Sequence, residues 1–403
     1  MKNTSKTFVC ISNYFKGADF LIHLKELGNT VFLVTSEKLR DKPWPFAHID
    51  EVFYMEGQDV EWNLEHLLLG VQNLMKNNNI DGIIALDDFD VEKATYLREN
   101  LRIEGMGQTT GRYFRDKLAM RMRAKSCGIS NPQFCSLFND YDINTFADTI
   151  SAPWVLKPRS EASASGIIKV HDKESLWMHI NEMGNNRFKY LVEQFRPGDV
   201  YHCDSLILDG KIIFSITSRY LATPMEISQG GGIFRSANIP YNSEDDKAIK
   251  KCNEQVIKGF GLKHGAAHSE YIKCDGKIYF LETSSRVGGA HLAEMVAAAS
   301  GINLWKEWAA IENALVKGFE YKLPKVRKEY AGIILTLSKF ANPDLSSFAD
   351  EEVCFTVPLE YHAGLIVNSG KHERVLELLD DYADRLVRDF ATVAAQAEVK
   401  NLH

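Results

Sequence analysis

The sequence predicts an α/β and α+β protein, with a doubly wound front domain ahead of a mixed α+β unit and a C-terminal segment of strands and a helix. Three observations lead there. From Thr7 to about Asn100, short β-branched runs alternate with helical periods, the mark of a parallel sheet covered by crossover helices. Beyond that point the strands come as hairpins, signalled by Asp209-Gly210 and Asp275-Gly276. The chain has 403 residues, 45% hydrophobic and 25% charged, enough for two or three domains at roughly 150 residues each.

Composition narrows the function classes. Lys and Arg number 47 against 54 Asp and Glu, a formal charge of -7, which is a poor surface for a phosphate backbone; no nucleic-acid partner is expected. Seven cysteines, an odd count without a C-x-x-C, fit a reducing compartment rather than a disulfide scaffold or zinc site. Apolar stretches such as Gly82 to Leu86 and Met295 to Ala299 fall far short of the ~18 residues that span a bilayer. The run Phe8 to Ile11 is too short for a signal peptide, so a cytoplasmic protein with no membrane partner is expected.

In the front domain the expected strands are Thr7 to Ile11, Val31 to Thr35, Glu51 to Met55 and Gly82 to Leu86, with crossover helices over Ala18 to Leu27 and Glu61 to Lys76. The first strand runs into Ser12-Asn13-Tyr14-Phe15-Lys16-Gly17, without a G-x-G-x-x-G, so a dinucleotide is not indicated. Thr109-Thr110 caps an expected helix to about Cys127, ended by Gly128. Its basic residues Arg112, Arg115, Lys117, Arg121, Arg123 and Lys125 read mainly as a solvated face, with one member free to reach a phosphate.

Trp154 to Lys157 and Gly166 to Val170 read as strands joined by a loop, Pro158 to Ser165, of small and polar residues after Arg159. Such a loop can bring backbone N–H groups and hydroxyls close to a ligand. A helix follows over Lys173 to Met183, then strands over Tyr190 to Phe195, Tyr201 to Leu208 and Lys211 to Arg219. Gln229-Gly230-Gly231-Gly232 reads equally as a connector or a lid. Strands near Ala331 to Leu337, Val353 to Val357 and His362 to Asn368, and a helix over His372 to Asp389, complete the chain.

The most informative stretch is the hairpin from His264 to Glu282. A two-residue loop at Asp275-Gly276 pairs Cys274 with Lys277 and sends Glu270 and Glu282 to opposite faces. A three-residue loop pairs Lys273 with Lys277 and puts both carboxylates on one face with Ile272, Glu270 opposite Phe280 and Glu282 opposite His268. Two like charges that close call for a cation between them, and oxygen ligands select Mg²⁺ or Mn²⁺ over zinc. His268 reads as a packed residue or as a substrate contact. Past Glu282, Arg286 precedes Gly288-Gly289 at a helix start, where a planar cation and exposed N–H groups can hold an anion.

Taken in order, Lys117, Lys157 with its Ser/Ala loop, Glu193-Gln194-Phe195, Glu270, Glu282 and Arg286 resemble the ATP-grasp superfamily over nearly the whole chain. The resemblance implies a Rossmann-like front domain over residues 1–110, a small lobe over 111–190, a large lobe with a metal site over 191–320 and a C-terminal subdomain over 321–403. It implies that Lys117 and Lys157 contact the ATP phosphates, that Ser163, Ser165 and Gly166 form the phosphate loop, that the backbone groups of Glu193, Gln194 and Phe195 hold the adenine edge, and that Ile272 lies against the nucleotide. Glu270 and Glu282 would hold Mg²⁺ or Mn²⁺, with Ser284 where many relatives carry an asparagine ligand. Val200 stands at the position of a ribose-binding acid, leaving Asp199 as substitute. Arg286 would be catalytic, and with His268, Gly288 and Gly289 would touch substrate. The arginine-x-glycine-glycine run is similar to the amino-acid ligase branch rather than to biotin carboxylases.

The implied activity is an ADP-forming carboxylate–amine ligase using ATP, with small carboxylate and amine substrates of amino-acid type. A carboxyphosphate-forming enzyme and a non-catalytic ATP-binding regulator are the alternatives, and a homodimer is the default assembly for a soluble enzyme.

Overall fold

In a computed structural model, residues 5–57, 61–162, 165–225, 227 and 232–392 are described. The front domain has four parallel strands, β1 (Thr7–Ser12), β2 (Thr30–Ser36), β3 (Glu51–Met55) and β4 (Gly82–Ala85), in the order β3-β2-β1-β4. Along β1 the residues alternate between two cores, because a sheet covered on both faces buries every position. Phe8 and Cys10 pack with Phe20, Leu21 and Leu24 of α1 (Ala18–Glu26), whereas Val9 and Ile11 pack with Leu67 and Val71 of α2 (Leu64–Met75) and Val91, Ala94 and Leu97 of α3 (Val91–Leu101). Asn63, accepting from His66 N, starts α2 three residues later than the apolar pattern suggested.

The single helix expected from Thr109 to Cys127 is two: α4 (Gln108–Arg112) and α5 (Lys117–Ser126). Thr109-Thr110 does not cap it; Gly107 precedes α4 without a side-chain cap, and Asp116 takes the capping role for α5 by accepting from Leu118 N and Ala119 N. Nor is the basic face uniformly solvated, since Arg115, Lys117 and Arg121 are buried.

The small lobe is an antiparallel sheet, β5 (Phe134–Ser136), β6 (Trp154–Pro158), β7 (Ile168–Val170) and β8 (Tyr190–Gln194), ordered β5-β8-β6-β7. Helices α6 (Asp140–Thr149) and α7 (Lys173–Met183) cover it through Ile143, Phe146, Leu176 and Ile180.

The large sheet has eight strands. β9 (Asp199–Leu208), β10 (Lys211–Tyr220), β11 (Phe234–Asn238), β12 (Gly265–Cys274) and β13 (Lys277–Ser284) are extended by β14 (Tyr330–Leu337), β15 (Val353–Thr356) and β16 (His362–Ser369), in the order β13-β12-β9-β10-β11-β14-β16-β15. Helix α8 (Glu244–Phe260) packs on one face against Cys203, Ile207, Ala267 and Tyr271. The opposite face carries α9 (Leu292–Ser300) and α10 (Leu304–Lys317), which join it to the front domain through one continuous core containing Phe8, Leu206, Val296 and Trp308. Helix α11 (His372–Asp389) closes β14 and β16 with Val375, Leu379 and Tyr382. Strand alternation therefore sends His202, Asp204, Tyr220, His268, Glu270 and Ile272 to the face shared with the front domain, away from α8.

Candidate active site

The hairpin β12–β13 brings its acids together by a route different from the expected one. Cys274 pairs with Lys277, and Asp275 and Gly276 have φ of 49° and 73°, so the turn has two residues, not three. The register then shifts between Glu270 and Tyr271. Tyr271 faces Phe280, Glu270 faces Glu282 and His268 faces Ser284, leaving Leu281 as the extra residue of a β-bulge. The bulge reverses the alternation, so the shared face survives while the expected partners, Phe280 for Glu270 and His268 for Glu282, do not.

Each carboxylate has a different neutralising partner. Glu282 Oε2 lies 2.8 Å from Lys117 Nζ, the first residue of α5, whose ammonium also donates to Glu161 O at 2.6 Å. Burial opposes ionisation of Glu282, but Lys117 and Lys157 outweigh it and hold the carboxyl below its usual range. Glu270 Oε1 accepts from the Tyr220 hydroxyl at 2.8 Å and stands 3.6 Å from His268 Nε2.

Behind Lys157, at the end of β6, Glu193 is buried between Lys157 and Arg121, both of which it pairs with. Its carboxylate is thus a buried counter-ion shared by the two cations. Burial pulls the Lys157 ammonium down to about 8 despite that pairing. Next along, Gln194 N donates to Gln133 O and Phe195 N to Pro153 O, so these two N–H groups are already engaged. The Phe195 ring is covered by Lys169 Nζ at 3.7 Å.

Ile272 forms an apolar patch with Val200 and Tyr220, flanked by Tyr279 and Leu281. Asp199 is on the other side of β9, exposed and 3.7 Å from Arg219, so it does not substitute for an acid at Val200. Ser165 N closes the loop onto Ala162 O, and Gly166 is exposed with φ of 70°; Ser163 and residues 229–231 of the expected lid lie outside the described residues.

At the end of the hairpin, Ser284 Oγ donates to Asp88, and Arg286 donates to the same carboxylate through Nε, at 2.8 Å, and Nη2. Burial would raise the Asp88 pKa, but Arg286 overrides it and holds the carboxyl well below its usual range. Arg286 Nη1 also donates to Val287 O at 2.7 Å. His268 Nδ1 and His202 Nδ1 both hydrogen-bond Asp204, at 2.8 and 2.7 Å, and His202 Nε2 reaches Ser236 Oγ at 2.7 Å. Burial opposes protonation of His268, yet Asp204 and Glu270 together raise it to about 9. A β-carbon on Gly288 would come 2.9 Å from Asp204 Oδ1 and 3.0 Å from His268 Nδ1, so only glycine lets the backbone lie against this pair.

The structure thus gathers Lys117, Lys157, Glu270, Glu282, Ser284, Arg286, His268, Gly288 and Ile272 around one cleft. It adds Asp88, Arg121, Asp204 and Tyr220, which sequence reasoning missed. For Asp88 a signal existed: it follows the last strand of a parallel sheet, where ligand-facing loops gather. Oxygen donors flanked by lysines suit a hard divalent cation carrying a polyphosphate. Glu270 and Glu282, side by side, have the donor chemistry for it, while Ser284 offers a hydroxyl tied to Asp88.

The paired acids on a bulged hairpin and the lysines opposite form one polar cleft between the small and large lobes. Residues 150–294 match the family described as the ATP-grasp domain. The chain is 27% identical over 243 residues to an L-arginine-specific L-amino acid ligase of Bacillus subtilis, covering 58% of each, and 22% identical over 205 residues to a D-alanine--D-alanine ligase of Neisseria gonorrhoeae (strain NCCP11945), covering 49% of this chain and 66% of the relative. It therefore spans about three fifths of the length of these curated relatives. Among solved structures, an L-amino acid ligase from Bacillus licheniformis superposes with a TM-score of 0.74 at 18% identity, covering 97% of this chain and 99% of that one. An N5-carboxyaminoimidazole synthetase from Staphylococcus aureus complexed with ADP superposes at 0.72 and 14% identity, covering 95% and 98%. No helix among the described residues is long and apolar enough to cross a membrane.

Proposed function

We infer that the chain is an ATP-dependent carboxylate–amine ligase that joins amino-acid-type substrates and releases ADP and phosphate. The observation that carries this reading is the convergence of Lys117, Lys157, Glu270, Glu282 and Arg286 on one cleft between lobes. The curated relatives named as amino-acid ligases supply the substrate class.

In this reading Lys117 and Lys157 hold phosphate oxygens as compact point charges, and Ser163, Ser165 and Gly166 close the phosphate loop over them. An adenine amino edge at the hinge meets carbonyl oxygens, since the N–H groups of Gln194 and Phe195 are engaged. Glu270 and Glu282, with Ser284 nearby, would hold Mg²⁺ or Mn²⁺, which when bound neutralises charge on the phosphates. The substrate carboxylate attacks the γ-phosphorus and ADP leaves; the amine then adds to the acyl-phosphate carbon, and phosphate departs. Arg286 balances the charge on the transferred phosphate and the tetrahedral intermediate, steered by Asp88. The Gly288-Gly289 backbone, seated on His268 and Asp204, gives the substrate a rigid wall. The boundaries near 110, 190 and 320 divide these tasks among the front domain, the small lobe, the large lobe and the C-terminal part.

The test is ADP release with ATP and Mg²⁺ from separate additions of pooled amino acids, pooled other carboxylates and bicarbonate. Stimulation by amino acids is expected, with loss of roughly a hundredfold or more in Arg286→Ala. Stimulation by bicarbonate alone, or turnover unchanged in Arg286→Ala, overturns the reading.

A further inference from the structure

The front domain brings more than a scaffold to the cleft. In the order β3-β2-β1-β4, the chain leaves β1 toward β2 on one side while β4 lies on the other, so the loops after β1 and β4 flank a topological switch point, where open α/β sheets bind ligands. These two loops are locked together. Gly17, with φ of 77°, lies so close to Leu86 that a β-carbon would come 2.9 Å from Leu86 Cδ1; Asn13 N donates to Asp90 Oδ2 at 2.9 Å; and the Tyr14 and Phe89 rings meet with centroids 5.4 Å apart.

Lys16 is the residue this lock aims. Its Nζ bonds Asp87 Oδ2 at 2.6 Å and lies 3.9 Å from where a β-carbon of Gly289 would stand. Consecutive acids on one turn therefore hold two cations beside the same glycine loop, Asp87 holding Lys16 and Asp88 holding Arg286. An ammonium has three N–H donors, and Asp87 accepts one, so Lys16 can keep that bond and still donate to a second anion. Arg286 is committed to the reacting phosphate and acyl carbon. An anion at Lys16 is then a group that takes no part in bond making.

We propose that Lys16 binds the carboxylate of the amine-supplying substrate, making that substrate an α-amino acid and Lys16 a residue that selects it over simple amines. The inference rests on the ligase reading. In an α-amino acid the carboxylate is one carbon from the attacking nitrogen, so a cation beside Gly289, next to the Arg286 site, holds it while the amine faces the acyl-phosphate. Recognition of the carboxylate orients the nucleophile and excludes amines lacking that charge.

The experiment uses the full chain and first finds, by ADP release with pairs of the common L-amino acids, an amine-supplying amino acid that supports turnover. That amino acid and its carboxamide are then compared in wild type, Lys16→Met, Lys16→Arg and the double variant Lys16→Met/Asp87→Asn, which removes the buried acid that the single change strands. The wild type is expected to prefer the free carboxylate by roughly tenfold or more in KM, the size of a hydrogen bond to a charged group. Lys16→Met and the double variant should lose that preference, with KM for ATP and thermal unfolding of the double variant near wild type, and Lys16→Arg should restore most of it. Equal KM for the amino acid in wild type and both Met variants overturns the assignment, as does a wild type that uses the carboxamide equally well; either leaves the ligase reading intact. No turnover by the wild type with any amino-acid pair overturns the ligase reading and this inference with it.

Discussion

At Lys157 burial and pairing compete. The residue closes β6 with its ammonium against Glu193, which Arg121 neutralises from the far side, so Glu193 serves two cations with one charge. Burial therefore wins and pulls Lys157 down to about 8. Below that pH the ammonium is charged and ready for a phosphate; as pH rises through it, the charge and its attraction for ATP are lost. KM for ATP should rise roughly tenfold between pH 7.5 and 9 in steady-state assays, and Lys157→Arg, which stays charged, should flatten the rise. A wild-type KM constant over that range would show that Lys157 does not bear on the phosphates.

At the scale of elements the hairpin β12–β13 decides the site through Leu281. The two-residue turn alone would turn Glu282 away from Glu270, and the extra residue turns it back. Deleting Leu281 should close the bulge and leave Glu282 opposite Glu270 as a plain cross-strand pair, both acids staying on the shared face. Mg²⁺-stimulated ADP release should therefore stay within roughly tenfold of wild type, with circular dichroism unchanged. Activity lost in the folded deletion variant would mean that the bulge itself, and not only the shared face, sets the spacing of the two acids. This hairpin also shows what was legible in the chain. Strand positions and the place of the Asp-Gly turns followed from local pattern, because alternation and turn chemistry act over a few residues. The register did not, because a bulge is set by what both faces bury: Phe280 under Tyr271 on one side, the acids against lysines on the other. The split of the Thr109 to Cys127 helix was hidden likewise, since Asp116 caps α5 while bonded to Arg159, 43 residues on. Asp204 was out of reach for the same reason, its partner lying 64 residues away, and Asp88, though placed by its strand end, has a partner 198 residues away that no local pattern names.

Across the whole molecule, the front domain and the large lobe share one apolar core, but their contact at the cleft is ionic. Asp88, on the turn after β4, takes hydrogen bonds from Ser284 and Arg286 and is buried with Ser284, the Arg286 side chain being 12% exposed. Removing its charge leaves the Arg286 guanidinium buried without a counter-ion, a loss of about 3–5 kcal/mol for pairs of this kind. Asp88→Asn should therefore unfold earlier at neutral pH and release ADP more slowly, Arg286 having lost the group that aims it. The pH dependence distinguishes a lost charge from a lost shape. The folded-state pKa of Asp88 is depressed below its ordinary value by Arg286, so its stabilisation is present above the unfolded carboxyl value, near 4, and is lost as pH falls through the folded one. The gap in thermal midpoint between wild type and Asp88→Asn should be widest near pH 7 and narrow as the buffer is taken toward pH 3. A gap independent of pH would mean that Asp88 joins the two units through packing and hydrogen-bond shape, and that the ionic contact carries little of the stability of the closed cleft.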